Sequence, residues 1–347
     1  MTSIYLSSLR GTKQSFQINR KIMKAVQFTA LGLPTEVLKV VELPKPEPAE
    51  GEIRVKVTKA NIIPADIMFI QGKYGIRPEL PQIGGFEGTG TVDACGAGIE
   101  MPLGMGVIFT GSGVWAEYVC IPAKTAIPKP QAMSDDVACQ AFVNPFTAYG
   151  MLMEADLQAG DWLMLTAANS AFSKFVIQLA SQRGINVVGT VRSDEQKQAL
   201  LDLGAKAIIN EKTENIYKAV KTATEGVMVK AAFDAVGGEL GDKVLNAMQA
   251  NGKMFVYGLL SLQPIPLNSG LLIFKNLTIK GFWLSTWMAS LTREQRSTII
   301  PEVLTMLTKQ ELKADVEAYY GIDEIAKAIE HMEAPGRSGK VLLDMTK

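Results

Sequence analysis

The sequence predicts an α/β protein in which a doubly wound parallel sheet domain is joined to a β-rich N-terminal domain. Residues 162 to 192 read as strand, turn, helix and strand. Strand and helix patterns then keep alternating to about residue 284, as expected for a parallel sheet covered by helices on both faces. Before residue 140, short apolar runs separated by glycine and proline instead predict many short strands.

The unit at residues 162 to 192 is the centre of the prediction. An apolar run from Trp162 to Leu165 has the length of a buried strand, and a turn of small residues follows it. Apolar residues from Phe172 to Ala180 have helical spacing, Gly184 ends the helix, and Asn186 to Val191 form a second strand. This arrangement places a helix N-terminus beside a dinucleotide phosphate, and it predicts a Rossmann-type domain.

The turn of this unit lacks the glycines of the dinucleotide fingerprint. Where G-x-G-x-x-G is expected, residues 167 to 173 read A-A-N-S-A-F-S. Unpaired N–H groups at a helix start still bind phosphate, but alanine and serine provide close approach and positive φ less well than glycine does. The string alone is equally consistent with an ordinary strand-helix-strand unit whose helix is capped by serine.

Arg192, at the end of the second predicted strand, indicates the cofactor. An acidic residue there would bind the ribose 2'-hydroxyl of NAD, whereas an arginine suits the 2'-phosphate of NADPH. Ser193 and Gln196 have the spacing of a capping box, so Asp194 is expected in a helix first turn rather than on a ribose. The position favours NADPH, although a solvated surface arginine would give the same pattern.

Composition excludes several classes of protein. The 35 basic and 35 acidic residues cancel, so no net field attracts nucleic acid or an anionic membrane. No apolar run has membrane-spanning length, and we expect a soluble protein. The single histidine, His331, lies in a charged segment and is expected at the surface, which argues against zinc catalysis and a Ser-His-Asp triad. Three cysteines without C-x-x-C spacing suit a reducing compartment.

Residues 1 to 22 are basic and contain no acidic residue, which is typical of a transit peptide or of an upstream extension, and we exclude them from the fold. Later segments are predicted as short strands, apart from one or two helical turns at 66 to 71 and a loop carrying Tyr74. The strand segments are MKAVQF, EVLKVVELP, EIRVKVTKANI, a strand pair in GGFEGTGTVDACGAG, GVWAEYVCIP and AKTAIPKP.

Residues 135 to 152 are predicted helical with an interruption at Asn144-Pro145. Beyond the central unit we predict strands at AKAIIN, KAAFDAVGG, GKMFVYG and LTIKGF, and helices from about 214 and over 240 to 248. Helices at 293 to 309 and 322 to 332 and the strand KVLLDM are expected to return to the first domain. The predicted domains are therefore 23 to 139 with 285 to 347, and 140 to 284.

In their order and spacing, five strings resemble the medium-chain dehydrogenase/reductase superfamily, and specifically its trans-2-enoyl-thioester reductase branch, over residues 23 to 347. They are QGKYGIRPELP, GGFEG, VNPFTAY, ANS at the phosphate turn and LLIFKNLTIKGFWLSTW. The resemblance implies a GroES-like N-terminal catalytic domain. In zinc alcohol dehydrogenases the GGFEG position carries a ligand histidine, and here it carries Phe86, so Glu87 is expected to be a structural carboxylate.

The resemblance implies NADPH-dependent reduction of a double bond conjugated to a thioester carried by coenzyme A or an acyl carrier protein. Hydride goes to the β-carbon and a proton to the α-carbon. The family's loop tyrosine, its candidate acid, matches Tyr74. A phenol, whose ordinary pKa is about 10, keeps its proton at neutral pH and can donate it. A packing aromatic at the substrate edge is the alternative interpretation.

The resemblance also implies cofactor contacts along the chain. Locally, residues 282 to 287 are equally typical of core packing, and Lys340 of an exposed charge. The implied contacts are Asn144, Thr147, Asn169, Ser170, Ala171, Phe172, Arg192, Ser193, Tyr257, Gly258, Leu259, Leu260, Phe282, Trp283, Leu284 and Lys340.

The chain departs from the family pattern at two places. Ile63 stands where the family has asparagine, and Ala171, Phe172 and Ser173 stand for Gly-Val-Gly at the phosphate turn. Two alternatives therefore stay open: a zinc-free NADPH:quinone oxidoreductase of the zeta-crystallin kind, and an NADPH-binding protein that has lost activity. We expect a homodimer through an edge strand at 277 to 282. We also expect a cytoplasmic protein, or a mitochondrial matrix protein if residues 1 to 22 are a removable leader.

Overall fold

The structure, a computed structural model, describes residues 22 to 347. The predicted extension over residues 1 to 22 lies outside this range except for Ile22, the first residue of a strand. The N-terminal part of the described chain consists of short strands and three short helices. They are β1 (Ile22–Phe28), α1 (Pro34–Val37), β2 (Lys39–Pro44), β3 (Glu52–Asn61), α2 (Pro64–Ile70), β4 (Gln82–Ile83), β5 (Glu87–Cys95), β6 (Gly106–Thr110), β7 (Tyr118–Pro122), β8 (Ile127–Pro128) and α3 (Asp135–Ala138).

The middle of the chain alternates helices and strands, and the last part contains three helices and two strands. The middle elements are α4 (Val143–Ala155), β9 (Trp162–Leu165), α5 (Ala171–Gln182), β10 (Asn186–Val191), α6 (Lys197–Asp202), β11 (Ala207–Asn210), α7 (Ile216–Ala223), β12 (Val229–Asp234), α8 (Gly238–Asn246), β13 (Met248–Val256), α9 (Ser269–Lys275) and β14 (Thr278–Gly281). The last elements are α10 (Leu284–Ser290), α11 (Arg293–Thr308), β15 (Val316–Gly321), α12 (Ile325–Glu333) and β16 (Lys340–Asp344).

The middle strands form one parallel sheet in the order β11-β10-β9-β12-β13-β14. Leu163 and Leu165 of β9 pack into a core cluster with α4 and α5, while Met164 packs into a second cluster with α7 and α8. Helices therefore cover both faces, and the predicted doubly wound sheet is confirmed. The strand order reverses at β9, and ligands of such sheets bind beyond the carboxyl ends of the strands at that point.

The remaining strands form two further sheets. One has the order β15-β16-β3-β5-β6-β8 with β7 paired to β3, and the other has the order β2-β1-β4. Strand β16 pairs antiparallel with β3, where Leu342 faces Asn61. The predicted strand KVLLDM thus joins the β-rich part of the chain, whereas Ile299 and Val303 of α11 pack in the core cluster that contains Leu163 of β9.

Several predicted elements differ in detail. GGFEGTGTVDACGAG forms the single strand β5 rather than a strand pair, and its hairpin partner is β6. Gly84 and Gly85 precede that strand, and the ring of Trp115 lies so close to both that no Cβ would fit. EVLKVVELP begins with the short helix α1 rather than with strand. Helix α9, helix α10 and strand β15 have no counterpart in the sequence prediction.

The predicted helix over residues 135 to 152 is divided into α3 and α4, but Asn144-Pro145 is not the break. Pro145 lies in the first turn of α4, where a missing N–H costs no intrahelical hydrogen bond. The capping box predicted at Ser193 does not form, since its side chain accepts no hydrogen bond from the following turn. Within residues 22 to 347, no helix combines the length and apolar character needed to cross a bilayer.

The turn after β9 reaches its conformation without glycine. Ala167 adopts a left-handed φ of 49°. The N–H of Ala168 donates to the carbonyl of Thr190 at 2.8 Å. A Cβ at Gly189 of β10 would lie 2.5 Å from the Cβ of Ala168, so the close approach depends on a glycine in the neighbouring strand. Ser170 then caps α5 by accepting from the N–H of Ser173 at 3.1 Å.

We predict that Ala167→Gly raises the midpoint of thermal unfolding, because glycine removes a left-handed penalty of about 1 kcal/mol. Ala168→Gly is the matched control. It removes a buried methyl group that contacts Gly189 and should lower stability by about 1 kcal/mol. Thermal denaturation followed by circular dichroism measures both variants, and equal destabilisation by the two would contradict the strain at Ala167.

Candidate active site

A cleft of about 950 Å³ lies between the parallel sheet and the β-rich part of the chain. Residues that follow the carboxyl ends of β9, β12, β13 and β14 form one wall. The other wall comes from α2, the loop after it and the end of β6. The cleft therefore occupies the position at which a doubly wound sheet binds its ligands.

Most of the predicted site residues line this cleft although they are far apart in sequence. Asn169, Arg192 and Ser193 are not among the lining residues. The Asn169 side chain instead donates to the carbonyl oxygen of Arg337 at 3.1 Å, and Arg192 is exposed directly after β10. The predicted residues in the lining are Tyr74, Asn144, Thr147, Ser170, Ala171, Phe172, Tyr257, Gly258, Leu259, Leu260, Phe282, Trp283, Leu284 and Lys340.

Tyr74 lies in the loop after α2, packed among aromatic rings. Its ring centre is 5.4 Å from that of Phe86 and 6.1 Å from that of Trp283. The indole N–H of Trp283 donates to the Tyr74 hydroxyl oxygen at 3.0 Å. Because the phenol accepts this bond, its own O–H stays available to donate into the cleft. The geometry fits a proton donor.

Ile63 and Asp66 begin α2 beside the cleft. The carboxylate of Asp66 accepts from the N–H of Ile63 at 2.8 Å and so caps the helix. Its other oxygen, Oδ1, is buried and has no partner within residues 22 to 347. Burial raises the pKa of Asp66 to about 8. The Ile63 side chain lines the cleft, so this part of the wall is apolar.

Glu87 fixes the start of α4, which carries Asn144 and Thr147. Its Oε1 accepts from the N–H groups of Phe142 and Val143 at 2.7 and 2.9 Å. Its Oε2 accepts from the side chain of Asn61 at 3.0 Å. Burial raises the pKa of Glu87, and these hydrogen bonds oppose the rise. The carboxylate therefore positions the helix that borders the cleft.

Lys340, at the start of β16, is only 4% exposed. The alternative that it is an exposed surface charge is therefore wrong. Burial lowers the pKa of Lys340 to about 8, and the charges of Glu87 and Asp66 oppose the fall. Within the described chain no carboxylate lies within salt-bridge distance of its ammonium group. A positive charge that lines the cleft without a paired acid is suited to an anionic ligand.

The helix N-terminus at the phosphate turn also borders the cleft. Ser170 and Ala171 line it, and the ring of Phe172 lies against that of Tyr257 with centres 4.1 Å apart. Burial raises the pKa of Tyr257, which keeps this phenol protonated over the physiological range. Phe172 thus packs on the loop after β13. Two segments that were both predicted to contact the cofactor, the turn before α5 and this loop, are therefore in contact with each other.

One further prediction about a titratable residue has a clear outcome. His331 is half-buried rather than at the surface, because its ring nitrogens pair with Glu317 and Tyr320, each at 3.0 Å. Over residues 22 to 347 there is no cluster of three or more His, Cys, Asp or Glu that could hold a metal ion.

Sequence reasoning missed Arg337, which also lines the cleft, and the apolar wall formed by Met68, Phe109 and Phe142. The string G-R-S-G-K places an arginine in a glycine-flanked loop directly before a strand, and this was the available signal for Arg337. The apolar residues carry no such signal, because their spacing also fits ordinary core packing.

Comparisons with known proteins agree with this architecture. Residues 49–131 match the model of the alcohol dehydrogenase GroES-like domain, and residues 173–304 match that of the zinc-binding dehydrogenase. The human mitochondrial enoyl-[acyl-carrier-protein] reductase is 31% identical over 331 residues, which cover 93% of this chain and 89% of the relative. The Arabidopsis thaliana protein of that name is 33% identical over 303 residues, covering 85% and 80%.

Solved structures give the same result. The Escherichia coli quinone oxidoreductase complexed with NADPH has a TM-score of 0.86 and 27% identity, covering 92% of this chain and 99% of that chain. A mycobacterial protein complexed with NADPH has a TM-score of 0.85 and 26% identity, covering 93% and 100%.

A doubly wound sheet, a GroES-like domain and a ligand cleft between them define a dehydrogenase/reductase of the medium-chain type, and the chain belongs to that superfamily. Within the superfamily, its relatives over most of its length include proteins named mitochondrial enoyl-[acyl-carrier-protein] reductase. The resemblance inferred from the sequence strings is confirmed.

Proposed function

We propose that this protein uses NADPH to reduce the 2,3 double bond of a trans-2-enoyl thioester. The proposal rests mainly on the position of Tyr74 at the edge of the cleft, where its hydroxyl accepts a hydrogen bond from Trp283. Relatives named enoyl-[acyl-carrier-protein] reductase support the substrate class. The carrier is coenzyme A or an acyl carrier protein.

The cleft fits an anionic dinucleotide. Lys340 supplies an unpaired positive charge, and the N-terminus of α5 supplies backbone N–H groups for phosphate. Asn144, Thr147 and residues 257 to 260 are proposed to hold the rest of the cofactor inside the cleft. Arg192 and Ser193, outside the cleft lining, are proposed to bind the 2'-phosphate. When bound, NADPH supplies the hydride.

The chain's own residues supply the proton and the environment. Hydride addition at the β-carbon leaves an electron pair that forms a new C–H bond at the α-carbon. Tyr74 donates the proton for that bond, and solvent returns a proton to the phenolate. Trp283 orients the phenol, and the apolar wall with Met68 and Phe109 excludes water from the acyl chain.

A second candidate is NADPH:quinone oxidoreduction, which the structural neighbour from Escherichia coli favours. Quinone reduction does not require a proton donor placed at the α-carbon of a thioester. The two candidates therefore differ in their dependence on Tyr74. A third outcome, NADPH binding without turnover, would follow if Ile63 and Ala171 prevent a productive pose.

We also propose a homodimer. Strand β14 is the edge of the parallel sheet, and α9 precedes it with Ile273 and Phe274 exposed at 70% and 86%. Large apolar side chains this exposed beside an unpaired sheet edge are typical of an interface.

The compartment is proposed to be the cytoplasm, or the mitochondrial matrix if residues 1 to 22 are a removable leader.

The first prediction of this proposal concerns Tyr74→Phe. Loss of a placed general acid should lower the rate of NADPH oxidation with a medium-chain trans-2-enoyl-CoA by roughly two to four orders of magnitude. Tyr217→Phe, on the exposed face of α7, is the matched control and should keep the wild-type rate. The second candidate would be favoured if the protein reduces a simple quinone but no enoyl thioester, and if Tyr74→Phe leaves the rate of quinone reduction unchanged.

The second prediction concerns pH. Lys340 loses its positive charge as the pH rises through about 8, and Asp66 loses a proton in the same range, so both changes disfavour an anionic ligand. The Kd for NADPH should therefore be about tenfold weaker at pH 9 than at pH 7. Fluorescence titration measures it, and Lys340→Met should be weaker throughout and less dependent on pH. An unchanged wild-type Kd would rule out this role of Lys340.

The third prediction concerns assembly. Light scattering should give wild type twice the chain mass of 37.6 kDa. Phe274→Asp should shift the protein toward monomer, because a carboxylate would have to be desolvated in the interface. Leu103→Asp replaces a residue that is 70% exposed, and it should leave the mass unchanged. A wild-type monomer, or a dimer indifferent to Phe274→Asp, would contradict the proposed interface.

A further inference from the structure

The loop of residues 334 to 339, between α12 and β16, connects the β-rich part of the chain to the phosphate turn. On one side, Asn169 of the turn donates to the carbonyl of Arg337 at 3.1 Å. The ammonium group of Lys174, in the first turns of α5, donates to the carbonyl of Ser338. The loop is thus held against the turn that the sequence assigns to the cofactor.

On the other side, Glu317 of β15 holds the same loop. Its Oε2 accepts from the N–H groups of Ser338 and Gly339 at 2.7 and 2.8 Å, and its Oε1 pairs with His331. Burial raises the pKa of Glu317, but these partners outweigh burial and lower it to about 2. A Cβ at Gly339 would lie 2.8 Å from the backbone nitrogen of Glu317, so only glycine permits this approach.

Arg337 is the residue that the loop presents to the cleft. Its Nε donates to the carbonyl of Met332 at 3.0 Å, and its Nη1 donates to the carbonyl of Gly339. Over residues 22 to 347, its Nη2 has no hydrogen-bond partner and no carboxylate lies within salt-bridge distance of the guanidinium. The charge is therefore oriented by carbonyl oxygens but is not neutralised.

We propose that Arg337 binds the diphosphate of the dinucleotide beside the phosphate turn, and that Glu317 is the positioning residue for it. Arg337 and Lys340 together place two cations without paired acids on one stretch of the cleft wall, beside the N-terminus of α5. A guanidinium with free N–H groups matches phosphate oxygens in geometry and charge. This inference rests on the proposed function in one respect, namely that the bound dinucleotide is NADPH.

The test is the Kd for NADPH, measured by fluorescence titration without any acyl substrate. Arg337→Gln should weaken binding by about 10- to 100-fold, the usual loss when a charge-assisted hydrogen bond is removed. Arg337→Lys, which keeps the charge, should lie between this variant and wild type. Arg293→Gln, the same substitution on the exposed start of α11, should bind as wild type does. Binding by Arg337→Gln within twofold of wild type would overturn the proposal.

A double-mutant cycle tests the role of Glu317. Glu317→Ala should weaken NADPH binding, and adding it to Arg337→Gln should cause little further loss, because both act on one contact. Additive losses, or a Glu317→Ala variant with wild-type affinity, would mean that Glu317 does not position Arg337. The unfolding midpoint without cofactor, measured for each variant, separates this effect from a general loss of stability.

Phosphates also occur on coenzyme A, and a separate measurement distinguishes that source. If Arg337→Gln raises the KM for an enoyl-CoA but not for a phosphate-free enoyl thioester, and the Kd for NADPH is unchanged, the diphosphate assignment is wrong. If wild type shows no enoyl turnover while Arg337→Gln still weakens NADPH binding, the proposed function fails and this inference stands.

Discussion

The buried carboxylate of Glu87 is the interaction on which the rest of the site depends. Removing a charge from water is costly unless hydrogen bonds and opposite charge compensate for it. Two backbone N–H groups at the start of α4 and the Asn61 amide supply the hydrogen bonds. The charge of Lys340, which lies beyond salt-bridge distance, opposes the rise in the pKa of Glu87 less than these hydrogen bonds do. Because the hydrogen-bond partners come from β3 and the start of α4, one desolvated group connects the β-rich sheet to the helix that leads into the parallel sheet.

Phe86, the residue before Glu87, packs against the loop that carries Tyr74. Phe86 occupies the place at which zinc-dependent relatives carry a ligand histidine. Its ring lies 4.9 Å from Phe69 and 5.4 Å from Tyr74 between ring centres, so a row of aromatic rings extends from α2 to the Tyr74 loop. The ring of Phe86 thus packs against the phenol that we propose as proton donor, and it offers no atom that could bind a metal ion.

The sequence predicted a segment's structure correctly where that structure depends on the segment's own residues, and it failed where the structure depends on contacts with distant parts of the chain. Strands β9 and β10 have the predicted bounds because β9 is a continuous apolar run, β10 is rich in valine, and both are buried along nearly their whole length. Strand β15 reads VEAYYG with polar residues on its open side, and it exists because β16 pairs with it. His331 was predicted at the surface because its neighbours in sequence are charged, but its burial comes from Glu317 and Tyr320 across the fold. Such contacts leave no local signal.

The phosphate turn shows why a missing motif is weaker evidence than a present one. The glycine fingerprint satisfies two requirements, a backbone conformation and a close approach between turn and strand. Here Ala167 adopts the left-handed conformation with some strain, and Gly189 of the neighbouring strand provides the space. The requirements are met, but by residues in other positions than the motif specifies. The turn is therefore compatible with a bound phosphate. Arg337, whose carbonyl oxygen accepts from Asn169 of this turn, lines the same cleft together with Lys340.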